Sequence, residues 1–168
     1  MRRTSFPEPG SSFPIGSGAD RASFERRIRH QPVEVVGLFD AVGRPLRAPR
    51  YGGFDAVELT AAEVEVARNG VLVHNHPSGS TVGFEDLRAV VDLDLAELVA
   101  VVPKGTHRLR RPEGGWPPSD RLIALYRSAY GELVPFRLGE GADRYHKLAM
   151  RLVGPLRDAL AESGVLYD

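Results

Sequence analysis

The chain of 168 residues contains no cysteine. This absence excludes disulfide bonds and thiolate metal sites, so any metal ion must be held by histidine, aspartate or glutamate. A net charge is missing as well, because 22 Lys and Arg residues balance 22 Asp and Glu residues. The chain therefore has no overall field that would attract nucleic acid or an anionic membrane, and we do not expect a nucleic-acid partner.

Long apolar runs are also lacking. No segment approaches the length of about 20 apolar residues that a membrane-spanning helix needs, and the opening stretch "MRRTSFPEPGSSFPIG" has no apolar block of the kind found in signal peptides. We therefore expect no membrane partner. The expected location is the cytoplasm, or a target cell into which the protein is delivered as part of a larger chain.

The composition is that of a globular protein, with 42% apolar and 26% charged residues. The length suits one domain, which we place at residues 20–168. Residues 1–19 are rich in Pro, Gly and Ser and are predicted to be a flexible lead-in. Such a segment could be a tag remnant, a natural tail or a linker to partner domains upstream in a parent chain.

The strand patterns predict a mixed sheet of five or six strands flanked by helices, an α/β fold on the border of α+β. A strand from Val33 to Asp40 is followed by a turn at Val42–Gly43 and a second strand through Leu46. The apolar run at residues 71–74 predicts a buried strand. The stretch "LAELVAVVP", a turn at Lys104–Gly105 and the stretch "THRLRR" predict a hairpin.

Helices are predicted at several places along the chain. A short helix begins near residue 20, and a second has Thr60 as its N-cap and Glu63 completing a capping box. A third begins around Gly83. A C-terminal helical extension starts at about residue 119 and contains a kink or break at Gly154–Pro155.

The stretch "HNHPSG" at residues 74–79 carries the strongest chemical signal. Alternate residues of a strand share a face, so His74 and His76 point to one side while Asn75 points to the other. Asp86 falls in the first turn of the predicted third helix, from which a carboxylate can reach back to the strand end. Two imidazoles and a carboxylate with a fourth position open are typical of catalytic zinc, although a histidine at a strand end is more often simply hydrogen-bonded.

Other candidate residues have ordinary structural interpretations. Glu85 competes with Asp86 as the third ligand, but its position on the helix aims it about a quarter turn away. Asp40 precedes a glycine turn, where an acid is common. Glu58 alternates with apolar neighbours and is expected to face solvent. Trp116 is expected to be a core plug or the wall of a substrate groove. The remaining histidines are expected to be surface or capping residues: His30, His107 and His146.

"HNHPSG" followed by an acid at a helix start resembles the JAMM motif of the JAB/MPN metallopeptidase family, most closely its bacterial RadC-type and phage- or toxin-associated branches. The resemblance covers about residues 32–111. It implies a JAB/MPN-like fold with Zn²⁺ as cofactor, held by His74, His76 and Asp86. The family's glutamate corresponds to Glu34 in "EVVGLFD", which would be the general base that activates water and later protonates the leaving amine.

Two departures from the family motif concern catalysis. The motif serine, whose hydroxyl helps to stabilise the oxyanion, is replaced by Gly83, and loss of one such donor typically costs about a hundred- to thousandfold in rate. The interval from His76 to Asp86 is also one residue shorter than the commonest family spacing, which a loop absorbs easily. Three nearby hydroxyls could replace the missing one: Ser78, Ser80 and Thr81.

The resemblance implies a zinc-dependent hydrolase that cleaves a peptide or isopeptide bond in a peptide or protein substrate, including ubiquitin-like proteins. The composition of the N-terminal segment suggests a domain excised from a longer chain, such as a delivered effector, a toxin or a phage structural protein. A first alternative is a JAB-fold interaction module that keeps zinc but has weakened catalysis, as Gly83 would permit. A second is a RadC-like protein associated with DNA, which the zero net charge disfavours.

Overall fold

The computed structural model describes residues 20–53, 57–131 and 142–168, and describes side chains in these ranges except at 142–150. The predicted lead-in at residues 1–19 and the side chain of His146 lie outside the described residues. Within the described ranges, no helix combines the length and the apolar composition needed to span a bilayer.

A six-stranded mixed sheet forms the centre of the described fold, with strand order β2-β1-β3-β4-β5-β6. The β3 and β4 strands are parallel, and the other neighbouring pairs are antiparallel. The prediction of an α/β fold is confirmed. The strands are β1 (Val35–Phe39), β2 (Arg50–Tyr51), β3 (Val71–Asn75), β4 (Glu97–Val102), β5 (Gly105–Arg110) and β6 (Leu166–Tyr167).

Five helices pack around this sheet in the described residues. Two of them have the side-chain caps that their sequences favour: Asp20 accepts a hydrogen bond from the Ser23 amide at 2.7 Å, and Thr60 and Glu63 form the predicted capping box. The helices are α1 (Arg21–Ile28), α2 (Ala61–Ala67), α3 (Phe84–Asp92), α4 (Ser119–Gly131) and α5 (Ala142–Ala161).

The predicted strand through Leu46 is wrong. That stretch makes only an isolated bridge between Phe39 and Pro45, and the outer partner of β1 is β2. Proline lacks the amide hydrogen that a ladder needs, so Pro45 limits pairing at this position. The short β6 strand, which pairs with β5, was not predicted because two residues carry too little pattern.

Of the predicted kink or break at Gly154–Pro155, the break is wrong, because α5 continues through both residues. A proline removes one backbone hydrogen bond and usually interrupts a helix. Here three leucines spaced four residues apart are buried in the core on either side of the proline, and this packing holds the helix together. They are Leu152, Leu156 and Leu160.

The two faces of the sheet are covered differently. Val71 and Val73 of β3 pack with α1 on one face. Leu72 lies on the other face, in the core that includes residues of α3, α4 and α5. His74 has the same parity as Leu72, so its side chain belongs to the face covered by α3. The loop from β3 to α3 therefore lies next to the carboxyl end of β3.

Candidate metal centre

Three donor atoms converge where β3 meets α3. The Nε2 atoms of His74 and His76 lie 2.7 Å apart, Asp86 Oδ1 lies 3.2 Å from His74 Nε2, and Asp86 Oδ2 lies 3.6 Å from His76 Nε2. A tetrahedral zinc ion with bonds of about 2.05 Å separates its ligand atoms by about 3.3 Å. The three measured separations lie on both sides of this value, and the two that involve Asp86 are made by different oxygens of its carboxylate. These residues could hold a metal ion, as predicted.

The two histidines are held in place by different means. His74 lies within β3, paired with Val36 and Ala100 of the neighbouring strands, and its side chain is 3% exposed. His76 follows the strand, and its Nδ1 lies 2.9 Å from the Ser80 carbonyl oxygen. A carbonyl can only accept, so Nδ1 carries the proton and the Nε2 lone pair points toward the other donors. Metal-binding histidines are commonly oriented in this way.

Asp86 is fixed by the start of α3. It is the third residue of the helix, and its Oδ2 accepts a hydrogen bond of 2.8 Å from the amide of Gly83, the N-cap. Burial opposes ionisation of this carboxyl, but His74, His76 and the Gly83 amide outweigh it and lower the pKa of Asp86 to about 2. The side chain of Glu85 is 71% exposed and lies outside the group of converging donors.

The pKa values of the two histidines are shifted in opposite directions. Burial opposes protonation of His74, but Asp86 and, further away, Glu34 outweigh it and raise the pKa of His74. Burial and the neighbouring His74 lower the pKa of His76. Two Nε2 atoms 2.7 Å apart have room for one proton between them. A cation between the two lone pairs and the carboxylate would replace that proton and satisfy all three groups.

Glu34 lies directly before β1. Its amide donates to the Gly53 carbonyl oxygen at 2.9 Å, and its own carbonyl accepts from the Gly52 amide at 2.8 Å. Two residues along, Val36 pairs with His74, so Glu34 shares the face of the sheet that carries the histidines. Glu34 lines the same cavity as the histidines and lies outside the converging donor group. This position suits a proton acceptor better than a ligand.

A cavity of about 850 Å³ adjoins the donor group. Its lining includes Glu34, all three converging residues and many apolar side chains from β3, β4, α3 and α4. A cavity of this size holds a substrate segment of several side chains. The possible metal position is therefore accessible to a ligand larger than water.

The candidate hydroxyl groups lie at different places. Ser78 is exposed and donates to the Ser80 hydroxyl at 3.1 Å, whereas Ser80 and Thr81 line the cavity. Gly83 also lines the cavity, with an extended backbone at φ −102°. A Cβ atom added at Gly83 would have Asp86 Oδ2, at 3.9 Å, as its nearest neighbour. The backbone at Gly83 therefore has room for the Cβ atom of the serine that the JAMM motif carries there.

A chain of polar side chains that no sequence pattern predicts lies next to the loop of the donor group. The Thr81 hydroxyl bonds the hydroxyl of Tyr167, which in turn lies 3.2 Å from His107 Nδ1. Burial raises the pKa of Tyr167 to about 12, so its hydroxyl stays protonated. His107 was expected to be a surface or capping residue, but it is half-buried. Residues 81 and 167 are too far apart in sequence for any local pattern to pair them.

The remaining candidates have structural roles or face solvent. Asp40 accepts hydrogen bonds from two amides of its own turn, and Glu58 and His30 are exposed. Trp116 donates to the Leu95 carbonyl oxygen at 2.6 Å and packs against the core. Trp116 is not one of the described residues that line the cavity, so the interpretation of Trp116 as a core plug is favoured over that of a groove wall.

Comparison of the chain with protein-family models, curated proteins and solved structures finds no match in any of the three. Inference about function therefore depends on the geometry of the donor group, on its cavity and on the motif described above.

Proposed function

We propose that the protein is a zinc-dependent hydrolase of the JAMM type that cleaves a peptide or isopeptide bond. One observation carries the proposal: His74, His76 and Asp86 converge on one point of a large cavity, and Glu34 lines that same cavity. Hydrolysis by a metal site needs three protein ligands, a proton acceptor and space for substrate. The converging donor group, Glu34 and the cavity would meet these needs, and this supports the proposal.

The residues would divide the chemistry between them. A zinc ion, when bound, supplies polarisation of the scissile carbonyl and lowers the pKa of water at its open position to about 7. Glu34 takes the proton from the attacking water and passes it to the leaving amine, so that one carboxylate acts first as base and then as acid. Ser80 keeps His76 in the tautomer that presents Nε2. The Gly83 amide keeps Asp86 oriented toward the histidines.

A second function is favoured by one residue. Gly83 has no hydroxyl at the position where the JAMM motif has serine, and an oxyanion donor is worth about a hundred- to thousandfold in rate. A protein with the zinc ligands and without this donor would suit a zinc-containing interaction module with little turnover. The two functions differ in whether Glu34 is needed.

The first experiment measures metal content by plasma mass spectrometry on protein purified without chelator. About one zinc per chain is expected for the wild type, with loss of zinc in the double variant His74→Ala/His76→Ala. A wild-type chain that stays free of metal after zinc is supplied would overturn the proposed hydrolase and the zinc module together.

The second experiment compares Glu34→Gln with wild type on peptide and isopeptide libraries. The variant should keep its zinc and lose cleavage, since only the proton acceptor is removed. Glu58→Gln is the matched control, because it removes an exposed carboxylate. Zinc-loaded wild type that cleaves no substrate would favour the interaction module. Cleavage that persists in Glu34→Gln would contradict the role given to Glu34.

Gly83→Ser tests the missing donor. The extended backbone and the free space at Gly83 accommodate serine. If the hydroxyl reaches the developing oxyanion, kcat should rise by up to about a hundredfold with unchanged zinc content. Gly83→Ala, which adds the Cβ alone, should leave kcat near that of the wild type. An equal effect of both variants would assign the change to the backbone instead.

A further inference from the structure

The floor of the cavity continues from the donor group onto an apolar surface. Leu72 lies two residues before His74 on the same face of β3, which places it about 7 Å along the strand. Leu98 of β4 pairs with Leu72 across the sheet. Both leucines line the cavity together with His74. A ligand held at the donor group would therefore lie close to this floor.

Other side chains that line the same cavity are apolar or aromatic. Val57 and Leu59, from the segment before α2, line it, as do Tyr126 and Tyr130 of α4. The two tyrosines are four residues apart on the helix, and their rings are nearly parallel, with centroids 6.2 Å apart and 13° between planes. They therefore present adjacent aromatic rings to the cavity.

Tyr126 and Tyr130 line the same cavity as Asp86, and their helix, α4, packs against α3, which carries Asp86. The pKa of Tyr126 is raised by burial, by Tyr130 and by the charge of Asp86. The aromatic wall therefore belongs to the cavity that holds the donor group, and it comes from α4, outside the region of residues 32–111 that resembles the JAMM family.

We infer that this part of the cavity is a subsite for a large apolar or aromatic side chain of the substrate, at a residue adjoining the scissile amide. The inference rests on the proposed function and specifies its substrate class. We call this subsite the apolar arm. It comprises Val57, Leu59, Leu72, Leu98, Tyr126 and Tyr130.

The distribution of charge supports this occupant. Apart from Glu34 and the three converging residues, the charged side chains that line the cavity come from α3, at the exposed positions Glu85, Arg88 and Asp92. A charged substrate side chain could pair with these residues at the edge of the cavity. Inside the apolar arm it would lose water without gaining a charged partner, whereas an apolar side chain gains by leaving water.

The test uses amino-acid hydroxamates, whose hydroxamate group binds zinc while the side chain is free to enter the neighbouring subsite. Isothermal calorimetry on the zinc-loaded full chain would compare the hydroxamates of phenylalanine, leucine, alanine and lysine. The phenylalanine and leucine compounds should bind at least about tenfold more tightly than the alanine compound, since extra apolar contacts in a pocket are worth about ten- to two-hundredfold. The lysine compound should bind no more tightly than alanine.

Variants of α4 locate the effect. Tyr130→Ala, at a side chain that is 39% exposed and so tolerant of change, should reduce the preference for phenylalanine over alanine. Tyr126→Phe keeps the aromatic surface and should retain the preference. Arg127→Ala is the matched control, because Arg127 is exposed on the same helix and is not part of the cavity lining.

The outcomes separate this inference from the proposed function. Equal binding of all four hydroxamates, or tightest binding of the lysine compound, would overturn the apolar arm as a subsite and leave the zinc hydrolase standing. A preference for phenylalanine that Tyr130→Ala and Arg127→Ala change equally would also overturn it. Failure of every hydroxamate to bind zinc-loaded protein would overturn both the subsite and the proposed function.

Discussion

The buried polar groups on the two faces of the central sheet have different kinds of partner. On the α1 face, Asn75 accepts a hydrogen bond from the Val35 amide at 2.8 Å and donates to the carbonyl oxygens of Val33 and Gln31 at 3.1 and 3.3 Å. Its neighbour His74 lies on the α3 face, and the Nε2 atom of His74 is directed at the Nε2 atom of His76. Two adjacent residues of one strand are thus buried for different reasons.

The charged groups follow the same division. On the α1 face, Arg21 meets Glu25 at 3.0 Å and Glu97 at 2.6 Å, and Arg108 meets the same two carboxylates at 2.8 and 3.4 Å. Each buried acid there has an arginine partner. A polar cluster that satisfies itself stabilises a fold, whereas a cluster of lone pairs that converge on one point is arranged for a cation. The comparison therefore agrees with a structural role for the α1 face and with the proposed metal binding on the other face.

The largest expected effect is the increase in the free energy of unfolding when zinc is added, which should depend only on the face that carries the histidines. A ligand that binds only the folded state at a thousandfold excess over its Kd raises the free energy of unfolding by about 4 kcal/mol. We expect this increment for the wild type and for Asn75→Ala, and none for His76→Ala. Urea unfolding with zinc and with chelator measures it. A zinc increment that survives in His76→Ala would place the bound ion elsewhere.

The next effect concerns Asn75 in the metal-free protein. Asn75→Ala removes three hydrogen bonds and leaves the buried Val35 amide without its partner, which should cost about 3 kcal/mol in the free energy of unfolding. The partly exposed His76 should cost much less when it is replaced by alanine under the same conditions. Urea midpoints of both variants in chelator give the comparison. A smaller loss for Asn75→Ala than for His76→Ala would reverse the roles assigned to the two faces.

A smaller effect is expected at Tyr167, whose hydroxyl bonds Thr81 on the loop that carries His76 and leads to Asp86. Groups that support metal ligands from behind are worth about ten- to a hundredfold in metal affinity. Because this contact is one step further away, Tyr167→Phe should weaken zinc binding by about tenfold with little loss of stability. Competition with a zinc indicator measures the affinity, and the absorption spectrum of the Co²⁺ form reports ligand geometry. A drop in stability with unchanged metal affinity would make Tyr167 a structural residue only.

Tyr167 also marks the limit of what the sequence could predict. The alternation of His74 and His76, and the helical position of Asp86, follow from local geometry, so the donor group could be predicted from a short stretch. The capping box at Thr60 is local in the same sense. The bond from Tyr167 to Thr81, the pairing of β1 with β2, and the continuity of α5 at Pro155 depend on packing between distant segments, which no local pattern encodes.

The smallest expected effect is the pH dependence of the free energy of unfolding that Glu97 contributes on the α1 face. Burial opposes ionisation of Glu97, but Arg21, Arg108 and Arg110 outweigh it and lower its pKa below the ordinary value of 4.5. Because the folded pKa is the lower one, ionised Glu97 stabilises the protein above pH 4.5, and this contribution is lost as pH falls through the folded value. Glu97→Gln should therefore be less stable than wild type by on the order of 1 kcal/mol at pH 7, and the gap should close in acid.

Urea unfolding of chelator-treated protein between pH 3 and 7 would follow this gap. Glu65→Gln is the matched control, since the Glu65 side chain is 79% exposed and lies 3.9 Å from Arg68 at the surface. That variant should follow the wild type at every pH, because an exposed pair contributes little. A gap for Glu97→Gln that stays constant down to pH 3 would mean that the arginines stabilise the side chain through packing and neutral hydrogen bonds. The charged network would then be no part of what distinguishes the α1 face from the face that carries the histidines.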